Sequence, residues 1–160
     1  MLKKMASDAL GLSDIGKIID KSDFNKVDSD DYIMNEDGES IFFIIKSRSD
    51  EYCFTNLALI HIDGASAMSK KRLVSRYDYY KNPITDVQIE TAGTIDLDCE
   101  IKFTIGGKGF SIDVNKNQIE QLKDLYKSLY RIGCIIEENN LMLQKSEETL
   151  AIAAKACASS

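Results

Sequence analysis

Apolar residues change their spacing near residue 39, and this change divides the sequence into helical and extended parts. Residues 2–19 carry apolar side chains mostly three or four positions apart, from Leu2 and Met5 to Ile18 and Ile19. This spacing predicts an amphipathic helix, and Gly11 with the candidate N-cap Ser13 indicates a break into two short pieces. From residue 39 to residue 114, short runs rich in aromatic and β-branched residues alternate with polar turns, which predicts strands. The predicted strands cover residues 40–45, 51–56, 57–63, 70–80, 84–91, 96–105 and 110–114.

Helical spacing returns after residue 117. Asn117 is a favourable residue to begin a helix, and an apolar stripe follows from Ile119 to Ile132. Gly133 is expected to end this helix or to let it bend, and residues 134–157 favour one further helix or two. Because the strands precede the helix instead of alternating with helices, the order excludes a parallel α/β sheet. It favours an antiparallel barrel or sandwich covered by a helix.

The segment 90–100 places carboxylates at every second position, at Asp96, Asp98 and Glu100. Alternate side chains of a strand share one face, so these three are predicted to form an acidic row. The opposite face is predicted to carry Ile95, Leu97, Cys99 and Ile101. Gly93 is expected to supply a left-handed or bulged conformation. Carboxylates two apart on a straight strand lie about 6.6 Å apart, which argues against chelation of one calcium ion by all three.

Composition narrows the class of protein. The chain has 160 residues and a formal net charge of −6, which argues against nucleic acid or an anionic membrane as the partner. No apolar run approaches the roughly 20 residues that span a bilayer, and no signal-peptide core follows the first lysines, so we expect a cytoplasmic protein. Four scattered cysteines and a single histidine, His61, predict reduced thiols and a structural histidine, with no metal and no cofactor.

A set of short segments carries a family resemblance. The segments are Phe54-Thr55-Asn56, Ile62-Asp63-Gly64, Lys70-Lys71 before a tyrosine-containing strand, Pro83-Ile84, and the stretch from Glu90 to Glu100. Together they resemble the bacterial pleckstrin-homology (PH) domain family, of the YvbH-like type. The resemblance covers roughly residues 35–132. It departs at Leu57-Ala58, where family members usually carry a Lys-Arg pair.

The resemblance implies a mainly-β fold with α (α+β). Its core would be a PH-like, seven-stranded, partly open antiparallel barrel capped by the helix that begins near residue 117. It also implies protomers arranged in cyclic rings, in some members with a C-terminal helical hairpin, and no catalytic activity. On this basis residues 1–34 form an N-terminal helical segment and connector, residues 35–132 the PH-like domain, and residues 133–160 a C-terminal helical extension.

These inferences predict a non-enzymatic, homo-oligomeric interaction or scaffold module that binds an unidentified protein partner. The resemblance implies that the homo-oligomer is a ring. The predicted interaction surface, called the acidic surface below, consists of Glu90, Thr91, Asp96, Asp98 and Glu100. A solvated sheet face without a partner gives the same pattern and stays open as an interpretation. The alternative function is capture of a small anionic ligand or lipid headgroup. Its predicted binding residues are Lys46, Arg48, Lys70, Lys71 and Arg72.

Overall fold

The alternating segments fold into two antiparallel sheets. The structure is a computed structural model that describes residues 14–64 and 71–159. The strands are β1 Lys17–Ile18, β2 Ile41–Lys46, β3 Asp50–Thr55, β4 Ala58–Asp63, β5 Leu73–Asp78, β6 Ile84–Glu90, β7 Asp98–Ile105 and β8 Lys108–Asn115. Within the described residues, one sheet has the order β1-β2-β3-β4-β5 and the other the order β6-β7-β8. The predicted mainly-β architecture with a C-terminal helix is confirmed.

Strand alternation positions the main core between the sheets. Every second side chain of β7 is buried, including Cys99, Ile101 and Phe103, and β8 continues the pattern. These residues pack with Phe54 of β3 and with the C-terminal helix in one cluster. The β7–β8 turn uses Gly106 and Gly107 at φ of 58° and 83°, a region that glycine adopts at little cost. The sequence Gly106-Gly107-Lys108-Gly109 predicts a hairpin connection with positive φ, and the structure confirms it.

β1 closes the barrel on one side. Ile18 pairs with Ile45 of β2, and Gly16 bridges to Val114 of β8, so this short segment connects the two sheets. The side-chain amide of Gln118 extends the connection, because it accepts from the Ile18 N–H at 2.8 Å and donates to the Ile18 carbonyl at 3.1 Å. The predicted helix over residues 2–19 is thus wrong at residues 17–18. Its residues 2–13 lie outside the described part of the chain.

One long helix, α1, covers Ile119–Ala158. It is preceded by a short 3₁₀ turn, Lys116–Gln118, whose cap is Asn115; the Asn115 side chain accepts from the Asn117 N–H at 3.0 Å. The N-cap position of α1 itself is Gln118, so the prediction that Asn117 caps the helix is wrong by one position. Leu122, Leu125 and Leu129 are buried in the main core.

Gly133 neither ends α1 nor divides it. A Cβ at this position would lie 2.8 Å from the Ile84 carbonyl oxygen of β6, so the glycine allows a close approach of helix and strand. Residues 134–157 consequently continue the same helix, which is about 60 Å long at 1.5 Å per residue. No helix among the described residues is long and apolar enough to cross a membrane.

Residues 20–38 form a segment that we call the acidic strap. The acidic and polar sequence from Asp23 to Gly38 predicts a connector with one helical turn around residues 32–34. The structure has three 3₁₀ helices there instead, Lys21–Lys26, Asp28–Tyr32 and Asn35–Asp37. Val27 of the strap packs on Ile44, Cys53 and Ile60 of the five-stranded sheet. These residues form a second apolar cluster, separate from the main core and on the outer face of the sheet.

Candidate functional site

The five residues of the acidic surface lie around one small depression. Glu90 ends β6, Asp98 begins β7, and Glu100 is the cross-strand neighbour of Glu90. Together with Cys99 they line a volume of about 160 Å³. This is below the roughly 300 Å³ at which small-molecule pockets begin. The structure therefore brings the predicted residues together on a surface and gives them no cofactor-sized pocket.

The predicted acidic row is wrong at its first position. Asp96 lies in the loop between β6 and β7, where its carboxylate accepts from the Gly93 N–H at 2.7 Å. Gly93 does not have a positive φ; a Cβ there would lie 2.9 Å from Asp96 Oδ2, so the glycine permits this contact. The apolar face also begins later than predicted, because Ile95 is 91% exposed and Leu97 49% exposed.

Like charges face each other across the small sheet. Glu100 pairs in register with Glu90 on β6 and with Asp113 on β8, which places three carboxylates side by side. Lys102 Nζ lies 3.4 Å from Glu90 and 3.8 Å from Glu100, so one cation partly compensates for them. Ser111 donates a hydrogen bond to Glu100.

Asp113 experiences this crowding most strongly. Partial burial raises the pKa of its carboxyl, and the neighbouring charges of Asp98 and Glu100 raise it further, to about 6. Such a shift shows that the negative charge is disfavoured in the folded chain. Among the described residues, no group of three or more histidine, cysteine or acidic side chains has an arrangement that could hold a metal ion. The carboxylates of β6, β7 and β8 form an anionic surface.

The predicted anion-binding residues are partly engaged within the chain. Lys46 Nζ lies 3.3 Å from the buried Glu51 carboxylate, and Arg72 Nη1 lies 3.0 Å from Asp28 of the acidic strap. Arg48 and Lys71 are exposed, and Lys70 lies outside the described residues. The chain's own carboxylates thus compete with any anion at Lys46 and Arg72.

Sequence reasoning missed a buried ionic network around Glu39. Its carboxylate accepts two hydrogen bonds from Arg76, at 2.9 and 2.8 Å, one from Thr55 at 2.8 Å and one from the Met34 N–H at 3.0 Å. Burial disfavours the charged form of Glu39, but these hydrogen bonds outweigh burial and lower the pKa of the carboxyl. The partners are up to 37 positions apart, and the only local signal was an acidic residue next to a strand.

His61 has a structural environment. Its ring stacks on Tyr52 at a centroid distance of 4.5 Å, and its Nε2 lies 3.2 Å from Asp50 Oδ1. Cys53 belongs to the outer cluster, whereas Tyr52 packs against the main core, so neighbouring residues of β3 face opposite sides of the sheet. Cys53 and His61 accordingly do not form a catalytic pair. Burial raises the pKa of Cys53 to about 12, which further disfavours its thiolate.

The outer half of α1 is exposed throughout. From residue 137 to residue 159 every residue is exposed, although the helix continues without interruption to Ala158. Apolar residues recur at seven-residue intervals along its length, at Leu122, Leu129, Ile136, Leu143 and Leu150. We call this row the helix seam. Its first two members are buried in the barrel, whereas Leu143 is 52% and Leu150 70% exposed.

Comparison with known proteins assigns the fold to a family. The family model described as the bacterial PH domain matches residues 9–132, more than half of the chain. This chain is a member of the bacterial PH domain family. It is 59% identical over 150 residues to the protein YvbH of Bacillus subtilis (strain 168), covering 94% of this chain and 74% of YvbH. The expected family membership is confirmed.

Solved structures agree with this assignment. A PH domain-containing protein from Exiguobacterium sibiricum 255-15 is 54% identical with a TM-score of 0.82, over 88% of this chain and 73% of that one. A protein of the DUF1696 family with a pleckstrin-homology domain, from Shewanella loihica PV-4, is 23% identical with a TM-score of 0.58, over 75% and 98% of the two chains. The second likeness shows the fold alone. The PH-like barrel with its C-terminal helix is thereby confirmed, and the division at residues 34 and 132 stays a prediction.

Proposed function

We propose that this PH domain protein is a non-enzymatic, cytoplasmic module that assembles with copies of itself into a closed ring and presents the acidic surface to a protein partner. The helix seam carries the proposal. An isolated helix is only marginally stable in water, and most helices depend on packing of an apolar face. Leu143 and Leu150 extend such a face beyond the barrel. A seven-residue repeat is the spacing that packs one helix against another.

A second copy is the simplest partner for the seam. The same apolar row is available on every protomer, so one contact satisfies two chains. Among the described residues, the end strands of the two sheets are β1, β5, β6 and β8, and the bridge from Gly16 to Val114 joins the β1 side to β8, which leaves β5 and β6. Each therefore offers a strand edge to a neighbouring protomer, and an edge-to-edge contact that repeats by rotation closes a ring.

The acidic surface supplies the contact to a different protein. Glu90, Glu100 and Asp113 lie side by side, and like charges on neighbouring strands are unfavourable in the isolated chain. A partner with lysine or arginine side chains would relieve this repulsion, and complementary charge favours fast and selective association. The anion-capture alternative has less support, because Lys46 and Arg72 already contact Glu51 and Asp28.

Native mass measurement of paired variants tests the assembly. Leu143→Glu with Leu150→Glu introduces two charges on the helix seam and should lower the assembly mass, which is a multiple of 17.9 kDa in the wild type, because assembly would then depend on the strand edges alone. Leu141→Glu with Ile152→Glu is the matched control. At 100° per residue, each of these positions lies about 160° from its seam counterpart around the helix. The control should keep the assembly, and a wild-type chain that is monomeric at micromolar concentration would contradict the proposal.

A further inference from the structure

The acidic strap covers an apolar surface that the main core does not need. No residue between 20 and 38 belongs to the main core cluster, whereas Val27 is part of the outer cluster with Ile44, Cys53 and Ile60. Phe24 and Ile33 of the strap pack around this cluster. Movement of the strap would expose the outer face of the five-stranded sheet while the contacts between the two sheets and α1 stay in place.

A small number of polar contacts holds the strap. The Glu51 carboxylate, which is 1% exposed, accepts from the N–H groups of Asp28 and Ser29 at 3.3 and 3.0 Å. Arg72 adds an ion pair to the Asp28 side chain. At the far end of the strap, Glu39 accepts from the Met34 N–H. Apart from these contacts the strap consists of short 3₁₀ helices and turns, with no strand pairing to the sheet.

The charges of the strap both attract it to the sheet and limit the stability of its closed position. Residues 20–38 contain seven carboxylates and two lysines, a net formal charge of −5. The ion pair of Asp28 with Arg72 attracts the strap to the sheet, whereas Lys46 and Arg76 are paired with Glu51 and Glu39, which lie outside the strap. The crowding of seven carboxylates in one short segment opposes a compact strap. Segments with few buried apolar contacts and short-range hydrogen bonding are the parts of a fold that open at low free energy.

We propose that the acidic strap is a conformational cover that opens as one unit while the barrel stays folded, and that the closed strap masks the outer sheet face and holds Asp28 in its ion pair with Arg72. Two consequences follow from the geometry. The Cys53 thiol is accessible to reagent only in the open form, because its side chain is fully buried beneath the strap. The strap amides and the Cys53 thiol should report one and the same opening equilibrium.

Site-resolved mass spectrometry on the wild-type chain provides the test. Reaction of Cys53 with a small thiol reagent and amide hydrogen exchange in residues 22–36 should give the same opening constant. That constant should be at least tenfold larger than the one measured from amides of β7 and β8, which lie in the main core. Equal opening constants for Cys53 and for β7 and β8 would overturn the proposal, because the strap and the barrel would then open together.

Three matched variants test whether the strap opens independently of the barrel. Glu51→Gln replaces the carboxylate that accepts two strap N–H groups with an amide. It should raise the rate of Cys53 modification and of amide exchange in the strap about tenfold or more. Asp28→Asn removes only the half-exposed ion pair and should raise them by up to about fivefold. Glu36→Gln, an exposed strap position, removes the same charge and should change them less than about twofold. An equal increase of amide exchange in β7 and β8 would refute independent opening of the strap. If Glu51→Gln fails to fold, the comparison of Asp28→Asn with the wild type tests the same point.

Discussion

Substitution of Gly133 by alanine sets two opposing effects against each other. Alanine is favoured over glycine in a helix interior by about 1 kcal/mol, so an exposed helical position would gain stability. At residue 133 the added Cβ would lie 2.8 Å from the Ile84 carbonyl oxygen and 3.7 Å from the Ile84 side chain. A comfortable carbon–oxygen contact is about 3.3 Å, so α1 or β6 must move by roughly 0.5 Å.

The free-energy cost of this movement decides whether Gly133→Ala raises or lowers the stability of the chain. The obstacle is a backbone atom of a strand, which cannot rotate away, and Leu129 fixes the helix in the core nearby. Overpacking of this kind costs about 1–3 kcal/mol. We therefore expect Gly133→Ala to lower the free energy of unfolding by about 1 kcal/mol, or the midpoint temperature by about 2–4 °C for a chain of this size.

Thermal and urea unfolding, followed by circular dichroism, measure this difference. Protein concentration must be held constant, because self-assembly would change the apparent stability. Asn140→Ala is the control: it lies in the exposed part of the same helix and should gain about 0.5 kcal/mol from helix propensity alone. If Gly133→Ala gained stability as the control does, the close contact of α1 with β6 would not constrain residue 133.

Three further outcomes are expected. Glu39→Gln should lower the free energy of unfolding by about 2–3 kcal/mol in urea titrations, because Arg76 loses its buried charge partner and keeps only partly exposed Asp78, whereas exposed Glu36→Gln should leave it nearly unchanged. Asp113→Asn should stabilise the chain at pH 7–8 but not below about pH 4, since a raised folded pKa means that wild-type stability falls as the pH rises towards about 6; a pH-independent difference would contradict this reasoning. Leu125→Ala should cost about 2–5 kcal/mol, and a cost below 1 kcal/mol would mean that α1 is not part of the main core.

The strands were predictable because their alternation is local. In β7 the residues from Cys99 onward follow the buried–exposed alternation that the sequence shows. The same reasoning failed at Ile95 and Leu97, where the alternation is present but the chain is a loop. There the Asp96 side chain binds the Gly93 N–H and competes with strand pairing. A period-two pattern does not reveal this competition.

Long-range contacts account for the other differences. Residues 17–18 have helical spacing in the sequence but form a strand, because the segment lies between β2 and β8 and bonds to the side chain of Gln118, 100 positions away. Gly133 resembles a helix end, yet close packing on β6 makes it an interior position. The pairing of Glu39 with Arg76 depends on how β5 is placed beside the strap. Each of these features follows from tertiary packing that overrides a local preference.

Because α1 is one uninterrupted helix, a rotation where it packs on the barrel is transmitted to its far end. The inner half of α1 is its base, fixed by Leu122, Leu125 and Leu129, and the residues beyond 136 extend about 33 Å from that base at 1.5 Å per residue. A rotation of about 10° at the base displaces the far end sideways by about 6 Å. Small changes in how the barrel packs on the helix are thus amplified into displacements of several ångströms at its tip. The packing of α1 inside the barrel consequently sets the orientation of any partner bound at the far end of the helix.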